Sequence, residues 1–190
     1  MKKTQIFLSI LSLCTASAAF AVDGTITFDG LLVDSTCTPK VSGGGAAGTS
    51  ADAIISLPTL NISALNAANK TAGLTAFSIN LDGGASNSDG CVISSPTSKT
   101  ATPYFEPEIS KVNPEGRVIN TGAATKVDIE ILDQGQTAIN LRNDATIQRT
   151  AVGVVSGNKH AYNYFARYFA TGATTPGIVA GAVSYSIIYK

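Results

Sequence analysis

Apolar residues alternate with polar or small ones along much of the chain, and no stretch keeps a long helical period. Over 25–33 (TITFDGLLV) the alternation is regular and reaches back to residue 22. Val22, Gly24, Ile26, Phe28, Gly30 and Leu32 share one face, and Asp23, Thr25, Thr27 and Asp29 share the other. A period of two predicts a half-buried strand. Further strands are predicted over 54–60, where Pro58 interrupts, over 76–81, within 92–102, over 125–132, over 137–141 and over the aromatic-rich 161–170. In 125–132, Val127, Ile129 and Ile131 are expected to face inward, and Lys126, Asp128 and Glu130 to face solvent. Residues 61–71 read as a short helical turn or an irregular connection. A glycine-rich run at 42–50 reads as a flexible surface loop, 82–90 as a turn cluster, and Pro103, Pro107 and Pro114 punctuate the middle of the chain.

The last fourteen residues, 177–190 (GIVAGAVSYSIIYK), alternate differently. Val179, Gly181, Val183, Tyr185, Ile187 and Tyr189 fall on one face. The opposite face, Ile178, Ala180, Ala182, Ser184, Ser186 and Ile188, is also small or apolar. A strand with so little polar surface belongs inside a sheet, with a neighbour on each side. The sequence after it supplies none, so the missing neighbour is expected from another molecule. Some seven short strands with frequent turns, no fixed repeat and no linker together predict one all-β sandwich.

The amino terminus carries an export signal. Lys2 and Lys3 precede a short apolar stretch, and Ala19-Phe20-Ala21 forms a small-residue cleavage site, so residues 1–21 are expected to be removed. Removing Lys2 and Lys3 takes 13 basic residues to 11 against 13 acidic ones, a net charge of −2. With no basic block left, nucleic acid is not an expected partner. Cleavage also removes Cys14. The remaining even pair, Cys37 and Cys91, most simply forms one disulfide in an exported protein. That bridge closes a loop with ends 54 positions apart, which the chain-entropy account equates with ~4 kcal/mol. Two buried free thiols are the alternative.

Chemistry-bearing clusters are not evident. The single histidine, His160, follows Gly157-Asn158-Lys159 and reads as an exposed loop residue without metal-ligand partners. Asp128 and Glu130 read as a solvated face rather than a carboxylate pair. Tyr162, Tyr164 and Tyr168 read as cross-strand packing rather than a stacking platform. Ser184 and Ser186 lack a nucleophile elbow, and the glycines at 43–45 lack a phosphate-loop pattern. No enzyme, cofactor or metal is expected.

Taken in order, several pieces resemble the type 1-like fimbrial (pilin) subunits of the chaperone–usher pathway. In that family a glycine stands fourteenth from the C-terminus and a tyrosine is penultimate, as Gly177 and Tyr189 are here. The run 23–30 (DGTITFDG) resembles the family's N-terminal extension, Cys37 and Cys91 its disulfide pair, and 127–133 (VDIEILD) its central hairpin. The loops around 42–50 and 97–115 look longer or more irregular than in compact members.

The resemblance implies an incomplete immunoglobulin-like sandwich lacking its last strand. It implies a donor-strand extension at 22–34 and a pilin domain at 35–190. The donor strand would present Val22, Gly24, Ile26, Phe28, Gly30 and Leu32. The acceptor groove, also recognised by the chaperone, would be marked by Gly177, Val179, Val183, Tyr185, Ile187 and Tyr189. Implied partners are other pilin subunits, a periplasmic chaperone, an outer-membrane usher and, for the finished fibre, a host surface. The implied location is a cell-surface fimbria reached through the periplasm. The implied role is a structural subunit supporting adhesion, with a minor adaptor or a glycan-binding tip adhesin as the alternative.

Overall fold

A computed structural model describes residues 37–82, 101–148, 152–156 and 159–189. The chain divides into two units, 1–30 and 31–190. The first unit with the export signal, and the whole of the expected strand over 25–33, lie outside the described residues, as do Cys91 and the turn cluster beyond Asp82.

Among the described residues, eight strands form two antiparallel sheets: β1 (Thr38–Gly43), β2 (Ala46–Ala47), β3 (Thr71–Asp82), β4 (Ala101–Phe105), β5 (Val127–Leu132), β6 (Val152–Ser156), β7 (Lys159–Ala170) and β8 (Tyr185–Tyr189). The larger sheet runs β2-β1-β3-β7-β5, and β6 also pairs with β7. The second sheet is β4-β8. Strand β7 explains the larger sheet. One edge of it pairs with β3 along most of its length. The other is divided, with β6 opposite its first residues and β5 opposite Phe165–Ala170.

Alternation on β3 and β7 builds the core between the sheets. Phe77, Ile79 and Leu81 on β3, and His160, Tyr162, Tyr164 and Ala166 on β7, are buried, while the residues between them, Ser78, Asn80, Ala161, Asn163 and Phe165, are not. Ala101 and Phe105 on β4 meet them from the second sheet. Tyr164 joins the layers. Its ring stacks on Phe77 at 5.4 Å and meets Phe105 edge-on at 5.2 Å, geometries the ring quadrupole favours. The tyrosines of β7 at 162 and 164 are thus buried packing residues, in keeping with the packing role expected of them.

Several expectations are corrected. His160 is 1 % exposed and lies on β7, not in a loop. The turn signals before it end at the strand boundary, and the strand's period then carries the ring inward. Glu130 does alternate with the core positions of β5, but its face is covered rather than wet. It is buried and bonded to Arg167, whose Nε and Nη2 lie 2.7 and 2.6 Å from its Oε2. Beside it, Arg117 bonds Asp128 at 3.3 Å and lies over the Phe169 ring at 4.1 Å.

Segment 54–60 forms no strand. The arm over 137–141 makes only isolated pairing, with Ile139 N donating to Ile131 O. The run at 42–50 is not a loose loop but the tight β1-β2 hairpin. The turn at 61–71 is a 3₁₀ helix, Ile62–Leu65, with Asn61 as its N-cap.

Candidate functional site

The site is built around the terminal segment, which changes partners along its length. Its first part runs beside residues 120–124, where Ala124 N donates to Ile178 O at 3.0 Å and Thr121 N to Ala180 O at 2.7 Å. Glycine permits that approach. A Cβ on Gly177 would stand 2.5 Å from Ala124 N, and one on Gly181 would stand 2.9 Å from Ile119 O. Beyond Ser184 the segment leaves this neighbour and pairs with β4. The regular strand is therefore Tyr185–Tyr189 rather than the whole of 177–190.

The ladder settles which backbone groups of β8 are used. Glu106 N donates to Ser184 O at 2.9 Å. In an antiparallel pair the direction alternates from residue to residue, so Ser184, Ser186 and Ile188 address β4. The N–H and C=O groups of Tyr185, Ile187 and Tyr189 address the opposite edge. Among the described residues, no other strand pairs with that edge. The side chains of the same three residues, and of Val183, are half-buried against the main core, and Val179 packs against the smaller cluster of Leu65, Ala124, Val127 and Ala170. The other face is more exposed, with Ile178 at 73 %. On that face Lys111 Nζ donates to Ser184 Oγ at 2.7 Å, and Ser186 Oγ donates to Glu106 Oε1 at 2.5 Å.

Two phenols cross to the beginning of the domain. Tyr189 OH accepts a hydrogen bond from Cys37 N at 2.9 Å, and Tyr185 OH donates to Ala51 O at 2.9 Å. Burial, reinforced by the charge of Asp52, raises the Tyr185 hydroxyl above its ordinary pKa. Cys37 is buried and disulfide-bonded. On β1 the bond from Cys37 N, and one from Val41 N to Ser50 O at 2.8 Å, occupy the side away from β3, and Pro39 between them has no N–H to offer.

The far edge of β4 is occupied as well. Tyr162 OH donates to Ala101 O. Pro103 falls where no N–H is needed, opposite Ile187. Phe105 N and O are both bonded to the buried side chain of Gln148.

Of the expected acceptor residues, Val179, Val183, Tyr185, Ile187 and Tyr189 lie along one half-buried face, with Gly177 exposed at its start. The expected donor residues Val22, Gly24, Ile26, Phe28, Gly30 and Leu32 lie outside the described residues. So does Cys91, the expected partner of Cys37. Sequence reading missed Gln148, Ala51 and the 118–124 segment. Each acts mainly through backbone or a single polar group, which leaves no periodic signal. Among the described residues, no group of three or more His, Cys, Asp or Glu could hold a metal ion.

In fold, the chain is similar to the P pilus rod subunit PapA, with a TM-score of 0.53 at 18 % identity, covering 87 % of this chain and all of that one. The class is therefore the immunoglobulin-like β-sandwich of pilin subunits. In sequence, the family model for type-1 fimbrial protein, A matches residues 57–190. The chain is 33 % identical to an F17 fimbrial protein of Escherichia coli over the full length of both. It is 35 % identical to the major fimbrial subunit SMF-1 of Stenotrophomonas maltophilia, over 91 % of this chain and 96 % of that one. The chain belongs to the type-1 fimbrial protein family, whose members are structural fimbrial subunits and not known as enzymes.

Proposed function

We propose that this fimbrial subunit polymerises by strand addition. The unpaired edge of β8 accepts a strand, first from a periplasmic chaperone and then, at an outer-membrane usher, from the 22–34 extension of another copy. One observation carries the reading. The backbone groups of Tyr185, Ile187 and Tyr189 point to an edge without a partner among the described residues, while their side chains already rest on the core. An incoming strand would gain main-chain hydrogen bonds and would fill the sandwich with alternate side chains. Ile26, Phe28, Val22 and Leu32 are the large side chains available. At ~1.5–3 kcal/mol each when fully buried, they would contribute roughly 6–12 kcal/mol before ordering costs. Head-to-tail addition does not close, so it yields a fibre. The fibre stands on the cell surface and supports adhesion. End-to-end similarity to fimbrial subunits favours this structural role over a glycan-binding tip adhesin.

The test replaces Ile26 and Phe28 with aspartate in producing cells. Fibres should disappear from electron micrographs while the subunit still accumulates with its chaperone. Normal fibres from the double variant would overturn the proposal.

A further inference from the structure

Strand addition needs one open edge, and any two-stranded sheet such as β4-β8 has two edges at which a strand could pair. Main-chain pairing is nearly blind to sequence, so a donor strand with alternating apolar residues would fit either edge unless one is closed. We propose that Gln148 closes the β4 edge and so confines strand addition to β8, an inference that rests on the strand-addition reading above. The amide of glutamine carries the same donor and acceptor as a peptide unit. Here Oε1 accepts from Phe105 N at 3.1 Å, and Nε2 donates to Phe105 O at 2.8 Å. These are the two bonds a residue on a neighbouring strand would make.

Gln148 is 6 % exposed, and Nε2 also reaches Leu141 O at 3.2 Å and Asn143 O at 3.0 Å. One side chain therefore fastens segment 141–148 alongside β4. The turn that delivers it is self-bonded. Asp144 Oδ1 accepts from Thr146 N at 2.9 Å, and Gln148 N donates to Asp144 O at 2.9 Å. On the same edge Pro103 offers no N–H and the Tyr162 hydroxyl takes Ala101 O, so Phe105 is the outward position of β4 with both backbone groups to pair, and Gln148 holds both. Gln148 is a positioning residue, and its effect is on where a strand is accepted.

The test titrates a labelled synthetic peptide of residues 22–32 against the full chain and its Gln148→Leu variant. The variant should take up one more peptide per subunit than the unaltered chain. Equal stoichiometry in the two would overturn the inference. Should Gln148→Leu fail to fold, residue-resolved hydrogen exchange on the unaltered full chain decides. The Phe105 amide should be protected in the dispersed subunit and the fibre alike, whereas the Ile187 amide should gain protection only in the fibre. Phe105 exchanging as fast as Ile187 in the dispersed subunit would overturn the role of Gln148. Ile187 exchanging equally in both states would instead remove the strand-addition reading.

Discussion

At the residue scale, two polar groups, one half-buried and one buried, set measurable properties. The Tyr189 hydroxyl is an acceptor for the backbone of Cys37. Tyr189→Phe keeps the ring but leaves that N–H without its partner, an expected loss of roughly 1–3 kcal/mol in urea unfolding. An unchanged midpoint would show the bond to be dispensable. His160 is buried with no hydrogen-bond partner for its Nδ1 among the described residues, and burial lowers its pKa from the ordinary 6.5. With the folded pKa depressed, the unfolded chain binds the proton first as pH falls. Stability should thus be flat above about pH 7 and decline as pH drops below about 6.5, until the folded histidine itself titrates. A His160→Leu variant should lose that component of the slope, measured as the denaturation midpoint between pH 7.5 and 5. An identical slope in the variant would assign the acid sensitivity elsewhere.

At the element scale, alternation predicted β5 and the second half of β3, and aromatic content predicted β7, because each has one face on the core. It predicted the inward face of the terminal strand for the same reason, since Val183, Tyr185, Ile187 and Tyr189 all reach that core. Alternation tells which residues share a face but not what lies over it, and Glu130 was misplaced for that reason. Pro103 read as punctuation because proline usually ends a strand. At a position facing away from β8 its missing N–H costs no ladder bond. The two-residue β2 is too short to announce itself, and β6 (VGVVS) lacks a clean alternation of apolar and polar residues. The partner change within the terminal segment was hidden too, although its signature is glycine at 177 and 181. Gly177→Val would drive a side chain into the backbone at Ala123 and Ala124. We expect about 1–3 kcal/mol of destabilisation and loss of protection at the Ala124 amide in hydrogen exchange. Protection equal to that of the unaltered chain would mean the segment can dock without this glycine.

At the scale of the whole molecule, strand addition predicts a kinetic property. A donor strand bonded along its backbone and buried along one face leaves only by opening the sandwich, so dissociation should be slow. Fibres in cold detergent should run as a ladder of multimers that collapses to one subunit on boiling. Immediate dissociation in cold detergent would count against a buried donor.

The bond from Cys37 N to Tyr189 OH joins residues 152 positions apart, and both belong to one core cluster. A polypeptide is made from its amino end, so Cys37, Val41 and Phe77 emerge long before the residues that cover them. Apolar surface destined for the interior must wait through the synthesis of nearly the whole domain, and local contacts cannot shorten the delay. For a chain with an export signal the same order of delivery would hold at the membrane, and on the strand-addition reading it would add to the open edge a period in which the incomplete domain is exposed to unwanted association.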